Sequence, residues 1–350
     1  MSGRPPIAAA WGLGPLQQVV GLPGVTDVLV NGGERGVTGH RVWFDRGSGL
    51  ECVELPLGDE SQLRALAVRL AASAGRRLDE GMPWVDARLP GGVRLHAVVP
   101  PVTPTGTHLS LRLLGGSRLD LEDLVAAGSV PSTWGPVLTA LVLRRAAFLV
   151  TGGTGAGKTT LLSALLALVP EGERIVLVED VGELRPTHPH VVRLEARHAN
   201  VEGRGAVTLE DLVRQALRMR PDRIVVGECR GAEVRELLAA LNTGHAGSCG
   251  TLHANAAAEV PARLEALGSL AGLDQAAVHS QAAAALDAVV HVERYRGGRR
   301  VSEIAVVERS AGGLRVLPAL VRSRGPGPTA TGPAWTRLAA RLELSPEAIP

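Results

Sequence analysis

The stretch Gly152-Gly153-Thr154-Gly155-Ala156-Gly157-Lys158-Thr159 fits the pattern G-x-x-x-x-G-K-[ST]. An apolar, β-rich run at 146–150 enters it, and an apolar helical run at 161–168 leaves it. A strand, a glycine loop and a helix in that order turn backbone N–H groups inward on phosphate oxygens, because glycine puts no Cβ in the way. The helix aims its positive end at the same anion. Lys158 then has the reach for β- and γ-phosphates and the Thr159 hydroxyl for Mg²⁺, with Thr160 following in the first helical turn.

Lys158 is also the only lysine among 37 lysines and arginines. A compact ammonium suits a phosphate pocket where a guanidinium fork would not fit. A guanine-reading N-K-x-D motif would need a second lysine, which argues against an ordinary GTPase. The formal net charge of +2 gives no overall electrostatic case for nucleic acid, and 2% aromatic residues leave few platforms for stacking bases. Direct nucleic-acid binding is therefore not expected. Cys52, Cys229 and Cys249 show no C-x-x-C spacing and read as reduced thiols, not as disulfides or zinc ligands. No apolar run reaches the ~18 residues of a membrane span, and residues 1–16 make no convincing signal peptide. A cytoplasmic protein is expected.

A chain of 350 residues has room for two domains with cores of their own. Residues 1–20 read as a loose leader with one short helix. Strand patterns at 26–31, 41–45, 93–99 and 108–114, with a helix opened by Asp59 and Gln62, predict a small α+β domain over 21–116, with a polar loop at 32–40. Gly115-Gly116-Ser117 is either a hinge or an ordinary loop, and 117–131 is a linker with a short helix. From 132 to 310, strands alternate with helices: 174–178, 191–194, 222–228 and 248–252 are strands, and Thr208 with Asp211 opens a helix. This alternation predicts an α/β domain with a mostly parallel sheet, whose ligands lie beyond the carboxyl ends of its strands. Helices at 256–268 and 273–288 and a hairpin at 289–307 follow. Residues 311–350 read as a flexible tail with a short helix bearing Trp335, Leu338 and Leu342, which either docks back or meets a partner.

Hydrolysis of a phosphoanhydride needs Mg²⁺, a group to orient or deprotonate water, and cations near the γ-phosphate. Glu179, backed by Asp180 and Glu183, is the candidate for polarising water. Glu228 ends an apolar strand as a Walker B acid does, with Gly227 where an Asp is usual, so that its Mg²⁺ contact can run through water. Both acids could instead be solvated strand-end carboxylates. His245 and His253 bracket the strand at Cys249 and can reach its active-site end, unless they are structural. Arg88, Arg94, Arg112 and Arg230 are phosphate-sensing candidates in a chain where most arginines are solvated. Zinc ligation by the cysteines and histidines lacks the spacing.

Four segments in this order resemble the secretion and type IV pilus ATPase superfamily. They are the phosphate loop, Val178-Glu179-Asp180-Val181-Gly182-Glu183, the run from Arg220-Pro221-Asp222 to Gly227-Glu228-Cys229-Arg230-Gly231, and Thr243-Gly244-His245 with Thr251-Leu252-His253-Ala254-Asn255. The wording R-P-D-R-I-V-V-G-E and T-L-H-A-N is most similar to the Tad/CpaF branch, and the similarity covers roughly 20–310. The resemblance implies an N-terminal domain before a RecA-like P-loop ATPase domain, a homo-hexamer, and ATP with Mg²⁺ held by Gly152, Gly153, Thr154, Gly155, Ala156, Gly157, Lys158, Thr159 and Thr160. It implies Glu179 as catalytic base, Glu228 as the Walker B acid beside Thr159 at the metal, Arg94 and Arg112 as γ-phosphate arginines, and His245 and His253 as coupling histidines. It implies a motor for Tad/Flp-type pilus assembly or type II/IV secretion, associated peripherally with the cytoplasmic membrane through inner-membrane platform proteins. A conjugal DNA-transfer ATPase and a non-hydrolysing nucleotide-binding scaffold are the alternatives. The 32–40 segment is longer than that branch's pattern, the N-terminal extension is shorter, and the Pro/Gly-rich tail stands outside it.

Overall fold

Valine and leucine at every second position, set against one helix with apolar residues three and four apart, organise the first of two units, Met1–Ser117. The computed structural model describes residues 12–33, 40–47, 49–89, 92–113, 119–197, 204–295, 298–323 and 329–348. The first unit runs α1 (Gln17–Val20), β1 (Asp27–Val30), β2 (His40–Asp45), β3 (Leu50–Leu55), α2 (Glu60–Ser73), β4 (Trp84–Arg88), β5 (Arg94–Val98) and β6 (His108–Arg112). The strands form one antiparallel sheet in the order β3-β2-β1-β6-β5-β4. Val28, Val30, Val42, Leu95, Leu109 and Leu111 share a core with Leu63, Leu66, Ala67 and Leu70 of α2. Asp59 accepts from the Gln62 N–H at 3.0 Å while the Gln62 side chain accepts from the Asp59 N–H at 3.0 Å, which closes the expected capping box. Residues 12–20 are not a loose leader, because Leu13, Leu16, Val19 and Val20 are buried in the same core.

The second unit, Arg118–Pro350, is built on a nine-stranded sheet. Its elements are α3 (Leu121–Ala126), α4 (Gly135–Leu143), β7 (Phe148–Thr151), α5 (Lys158–Leu166), β8 (Ile175–Glu179), β9 (Val191–Glu195), α6 (Leu209–Ala216), β10 (Arg223–Cys229), α7 (Glu233–Asn242), β11 (Cys249–Leu252), α8 (Val260–Leu270), α9 (Gln275–Ala285), β12 (Ala288–Tyr295), β13 (Gly298–Ser310), β14 (Gly313–Arg322), β15 (Thr329–Thr331) and α10 (Trp335–Arg341). The order is β15-β14-β13-β12-β7-β11-β10-β8-β9. From β12 to β9 every neighbour is parallel, and β13 to β15 extend the sheet antiparallel. The mostly parallel α/β sheet expected from the sequence is the one that forms. Its central strands are continuously buried because both faces are covered. One core gathers residues of α3, α4, α5 and α10, and the other residues of α6 to α9.

Two boundaries differ from expectation. Leu121, Leu124 and Val130 are buried in the second unit's core, so 119–131 belong to it and are not a linker. Residues 311–350 are not a flexible tail over the part described. β14 pairs with β13 from Gly313 to Val321, and Trp335, Leu338 and Ala339 of α10 are buried. Arg341 is ion-paired with Asp287, whose other oxygen accepts from the Ala147 N–H at 2.7 Å, next to β7. Pro318 hid this strand, since a proline argues against a central strand, yet a register shift between Ile304 and Ala305 accommodates it. Residues 1–11, 34–39 of the polar loop, the Gly115-Gly116-Ser117 hinge and 324–328 of the tail lie outside the described residues. Leu338→Ala is expected to cost about 2–4 kcal/mol of stability in denaturant unfolding, as for other fully buried leucines. A change below about 0.5 kcal/mol would return this segment to a surface tail.

Candidate active site

The phosphate loop follows β7 and leads into α5, and its glycines are there for steric reasons. Gly152 has φ +154°, and a Cβ on it would lie 2.2 Å from the carbonyl oxygen of Val292 on the neighbouring strand. Gly157 has φ +100° and begins α5 in the left-handed region. Ala156 is buried in the core, Gly153 and Thr159 are half-buried, and Thr154, Gly155 and Thr160 are exposed. The Lys158 ammonium is buried and donates to the carbonyls of Gly152 at 2.9 Å and Gly153 at 3.0 Å. Burial lowers its pKa, and the charges of Glu228 and Glu183 act the other way. Its present partners are neutral carbonyls, so a phosphate oxygen would offer it stronger, charge-assisted bonds.

Glu179 is the last residue of β8 and only 3% exposed. Its Oε1 accepts from the N–H groups of Glu183 at 2.8 Å and Leu184 at 2.9 Å, while its Oε2 is buried with no hydrogen-bond partner. Burial raises the pKa above the ordinary 4.5, against the two backbone donors and Arg185. A buried carboxylate with one oxygen fixed and the other unsatisfied is a group waiting for a donor such as water.

Glu228 sits in a β-bulge. β10 pairs with β11 at Val226↔Gly250 and next at Cys229↔Leu252, so Gly227 and Glu228 together oppose Thr251. Val226 and Cys229 consequently face the same core, which strict alternation would forbid. Glu228 is left partly exposed, 3.4 Å from Arg230, which also bonds Asp180 at 3.1 Å. Arg230 thus joins acids at the carboxyl ends of β8 and β10. Buried Glu233 accepts from the Arg230 N–H at 2.6 Å and the Gly231 N–H at 2.8 Å and shapes the turn.

Parallel registers bring most of these groups to one edge. Thr151 is level with Leu252, and Val178 with Val226, so the phosphate loop, His253, Glu228 and Glu179 all leave the carboxyl ends of neighbouring strands. His245 is not among them. It precedes β11 at the amino edge, where Cys249 is level with Phe148, and its Nδ1 lies 3.2 Å from the Ala240 carbonyl oxygen. The expectation that both histidines reach the active-site end is therefore corrected, because a four-residue strand at roughly 3.3 Å per residue separates them. In the first unit, Arg94 and Arg112 are directly opposed on β5 and β6, with Arg88 opposite Arg94 and Asp27 opposite Arg112. Arg94 is 3.7 Å from Asp86, and Arg112 is 3.1 Å from Asp27.

Two site residues escaped sequence reasoning, and a third, Thr251, entered it only as part of the T-L-H-A-N segment, with no role of its own. His291 of β12 shares a hydrogen bond with Thr151 Oγ1 at 2.9 Å, directly beneath the loop, and burial lowers its pKa. Arg299 donates from Nε to the Gly155 carbonyl at 2.7 Å. Thr251 donates to the Gly227 carbonyl at 2.6 Å. Long-range strand pairing creates these contacts, and no local spacing announces them.

A family model described as "Type II/IV secretion system protein" matches residues 12–311. This chain belongs to that family. It is 57% identical over 302 residues to a protein of Mycobacterium tuberculosis (strain H37Rv) named "Putative conjugal transfer protein", covering 84% of each. It is 34% identical over 296 residues to the type IV secretion system protein PtlH of Bordetella pertussis, covering 75% of this chain and 86% of the relative. The solved structure of the pilus retraction motor PilT with bound ADP aligns with TM-score 0.57 and 22% identity over 95% of this chain and 86% of that one, a likeness of fold. The secretion family expected from the four motifs is shown, with its N-terminal unit and RecA-like P-loop unit, while the Tad/CpaF branch is a finer matter.

The residues present fit Mg²⁺. Among the described residues no group of three or more His, Cys, Asp or Glu could cage a metal. Magnesium in nucleotide sites takes most of its ligands from phosphates and water, with one or two hard protein oxygens. The Thr159 hydroxyl and Glu228 carboxylate are donors of that kind.

The raised Glu179 pKa has a stability consequence. The folded state holds this proton more tightly than the unfolded chain, so the buried charge opposes folding above the raised pKa, and that opposition fades as the pH falls through it. Glu179→Gln is expected to melt above wild type at pH 8, with the gap closing as the pH falls toward 4.5. A gap that widens on acidification would contradict the assignment.

Proposed function

We propose that this chain is the ATP-hydrolysing subunit of a homo-hexameric motor that powers Tad/Flp-type pilus assembly or type II/IV secretion. It would work from the cytoplasmic side on inner-membrane platform proteins. The observation that carries the reading is Glu179, whose buried, unpartnered Oε2 lies at the same sheet edge as Lys158 and the loop. A water hydrogen-bonded to Oε2 gives up its proton there as its oxygen attacks the γ-phosphorus and the bond to the β–γ bridging oxygen breaks. Lys158 leaves the Gly152 and Gly153 carbonyls for the phosphates, and α5 adds its N-terminal dipole. Thr159 and Glu228 would hold Mg²⁺, which neutralises phosphate charge when bound. His253, directly after β11, is the coupling histidine of this edge, and His245 is not carried as one of its residues. Arg94 and Arg112 are proposed as γ-phosphate arginines, on the family resemblance and on the arginine row across β4, β5 and β6.

A conjugal DNA-transfer role is the second reading, favoured by the printed name of the 57% identical relative. The weak net charge speaks against direct contact with DNA. In both readings the chemistry is the same, and the transported substrate differs.

Steady-state ATP hydrolysis, with oligomer mass measured in the same sample, tests the proposal. Lys158→Ala is expected to lose ATP binding and turnover. Glu179→Gln should keep ATP binding and lose at least about 10²-fold in kcat. Arg94→Ala and Arg112→Ala should each lower kcat by tenfold or more, roughly the loss of one charge-neutralising contact. Only slow turnover that survives Glu179→Gln, or tight ATP binding without turnover in any assembly state, would replace the motor with a scaffold.

A further inference from the structure

The bulge in β10 serves Glu179 as well as Glu228. Gly227 is not among the residues with positive φ, so its backbone does not call for glycine. Space does. A Cβ built on Gly227 would lie 2.6 Å from Glu179 Cγ, 3.1 Å from its Oε1 and 3.3 Å from its Cδ. The Glu179 side chain therefore lies across the β10 backbone, in the slot that the missing Cβ leaves. Contact at Cγ differs from contact at the free end of a flexible chain, because the carboxylate beyond it is tied to the Glu183 and Leu184 N–H groups. Moving Cγ means breaking those bonds.

The slot has a second wall. Thr251 is buried on β11 opposite the bulge and donates to the Gly227 carbonyl at 2.6 Å. A bulge leaves a residue out of the ladder, so its carbonyl needs a partner from elsewhere. The threonine hydroxyl supplies one and pins Gly227 at the depth where the carboxylate fits.

We infer that Gly227 and Thr251 are positioning residues for hydrolysis: the first vacates, and the second fixes, the slot that aims the unpartnered Oε2 of Glu179 out of the sheet edge. The inference rests on the reading of Glu179 as the group that takes the proton of water. It also accounts for glycine at the position before the Walker B acid. Any side chain there would occupy the place of the catalytic carboxylate from the neighbouring strand.

The test measures kcat, its pH profile and affinity for a fluorescent ATP analogue, with a thermal melt as folding control. The proteins are wild type, Gly227→Ala, Thr251→Val, Glu179→Gln and the double variant Gly227→Ala/Glu179→Gln. Gly227→Ala is expected to lose about 10²-fold in kcat, the scale of an ångström-sized misplacement, with affinity within about threefold. Its acid limb should move to lower pH, because a carboxylate displaced toward water is relieved of the burial that raises its pKa; the charged groups acting on it are Glu183 and Arg185. Thr251→Val keeps the shape and removes the hydroxyl, and should lose about tenfold, from one lost hydrogen bond.

Glutamine keeps the shape of Glu179 but cannot take the proton, so a loss that acts through the Glu179 carboxylate vanishes in its background. Adding Gly227→Ala to Glu179→Gln should therefore lower the residual kcat by less than about threefold, far below the loss in the wild-type background. Wild-type turnover in Gly227→Ala while Glu179→Gln is dead overturns the inference, and so does full additivity in the double variant. Wild-type turnover in Glu179→Gln sinks the underlying reading of Glu179 instead. If Gly227→Ala fails to melt cooperatively, Thr251→Val decides, and an unchanged kcat and pH profile there also overturn the inference.

Discussion

The second unit depends on the parallel register of β7 with its neighbours. Thr151 is level with Leu252 on one side and with His291 on the other, and the loop that follows can turn only because Gly152 presses its bare Cα against the Val292 carbonyl. That contact sets where the phosphate loop begins, and hence where Lys158 and the start of α5 lie. A slip of one residue would turn β7 over and carry the loop with it. The same register carries through Gly250↔Val226 to Val226↔Val178 and brings Glu228 and Glu179 to the loop's edge. The buried valines and leucines on both faces hold that register, so the core specifies the site.

Burial is what makes the site's charges unusual. Lys158 and Glu179 are both withdrawn from water, and each has its pKa moved toward its neutral form by that withdrawal. Neither has a full countercharge as its direct partner; Lys158 rests on carbonyls and Glu179 on N–H groups. Such half-satisfied charges oppose folding and are retained where a ligand completes them. Arg223, by contrast, is buried at the amino edge with a full countercharge beside it, Glu173 at 2.7 Å, although its Nη2 has no hydrogen-bond partner. The two edges of one sheet thus differ: the buried charge of the amino edge has its countercharge within the protein, and those of the carboxyl edge do not.

Much of this could be read from the chain before its structure. The loop carried its own context of strand and helix, Glu179 and Glu228 ended apolar runs, and Asp59 with Gln62 and Thr208 with Asp211 announced helices that begin there. Failures came where a local rule competed with a distant contact. Pro318 argued against β14, yet its pairing with β13 tolerates a bulge. β3 and β4 are edge strands whose outward residues include Leu50 and Trp84, each more than half exposed, so apolar residues fall on both faces and blur the alternation. α7 begins with Glu233-Val234-Arg235-Glu236, and its apolar stripe of Val234, Leu237, Leu238 and Leu241 was overshadowed by the acid motif before it. His245 was misplaced because an eight-residue interval says nothing about which end of a strand each histidine meets.

The same reasoning explains why Gly227 and Gly250 carry more information than their neighbours. Glycine weakens a strand, so two of them on paired strands at the centre of a sheet need a cause. At Gly250 the cause is the Val226 carbonyl oxygen, which a Cβ would meet at 2.9 Å. At Gly227 it is a carboxylate from the next strand. One glycine is thus explained by the ladder and the other by the chemistry, although the two look alike in the sequence. A glycine inside an apolar strand that ends in an acid therefore points sideways, to a side chain on the adjacent strand that needs the room. Here that side chain is Glu179, whose buried Oε2 at this edge has been left without a partner.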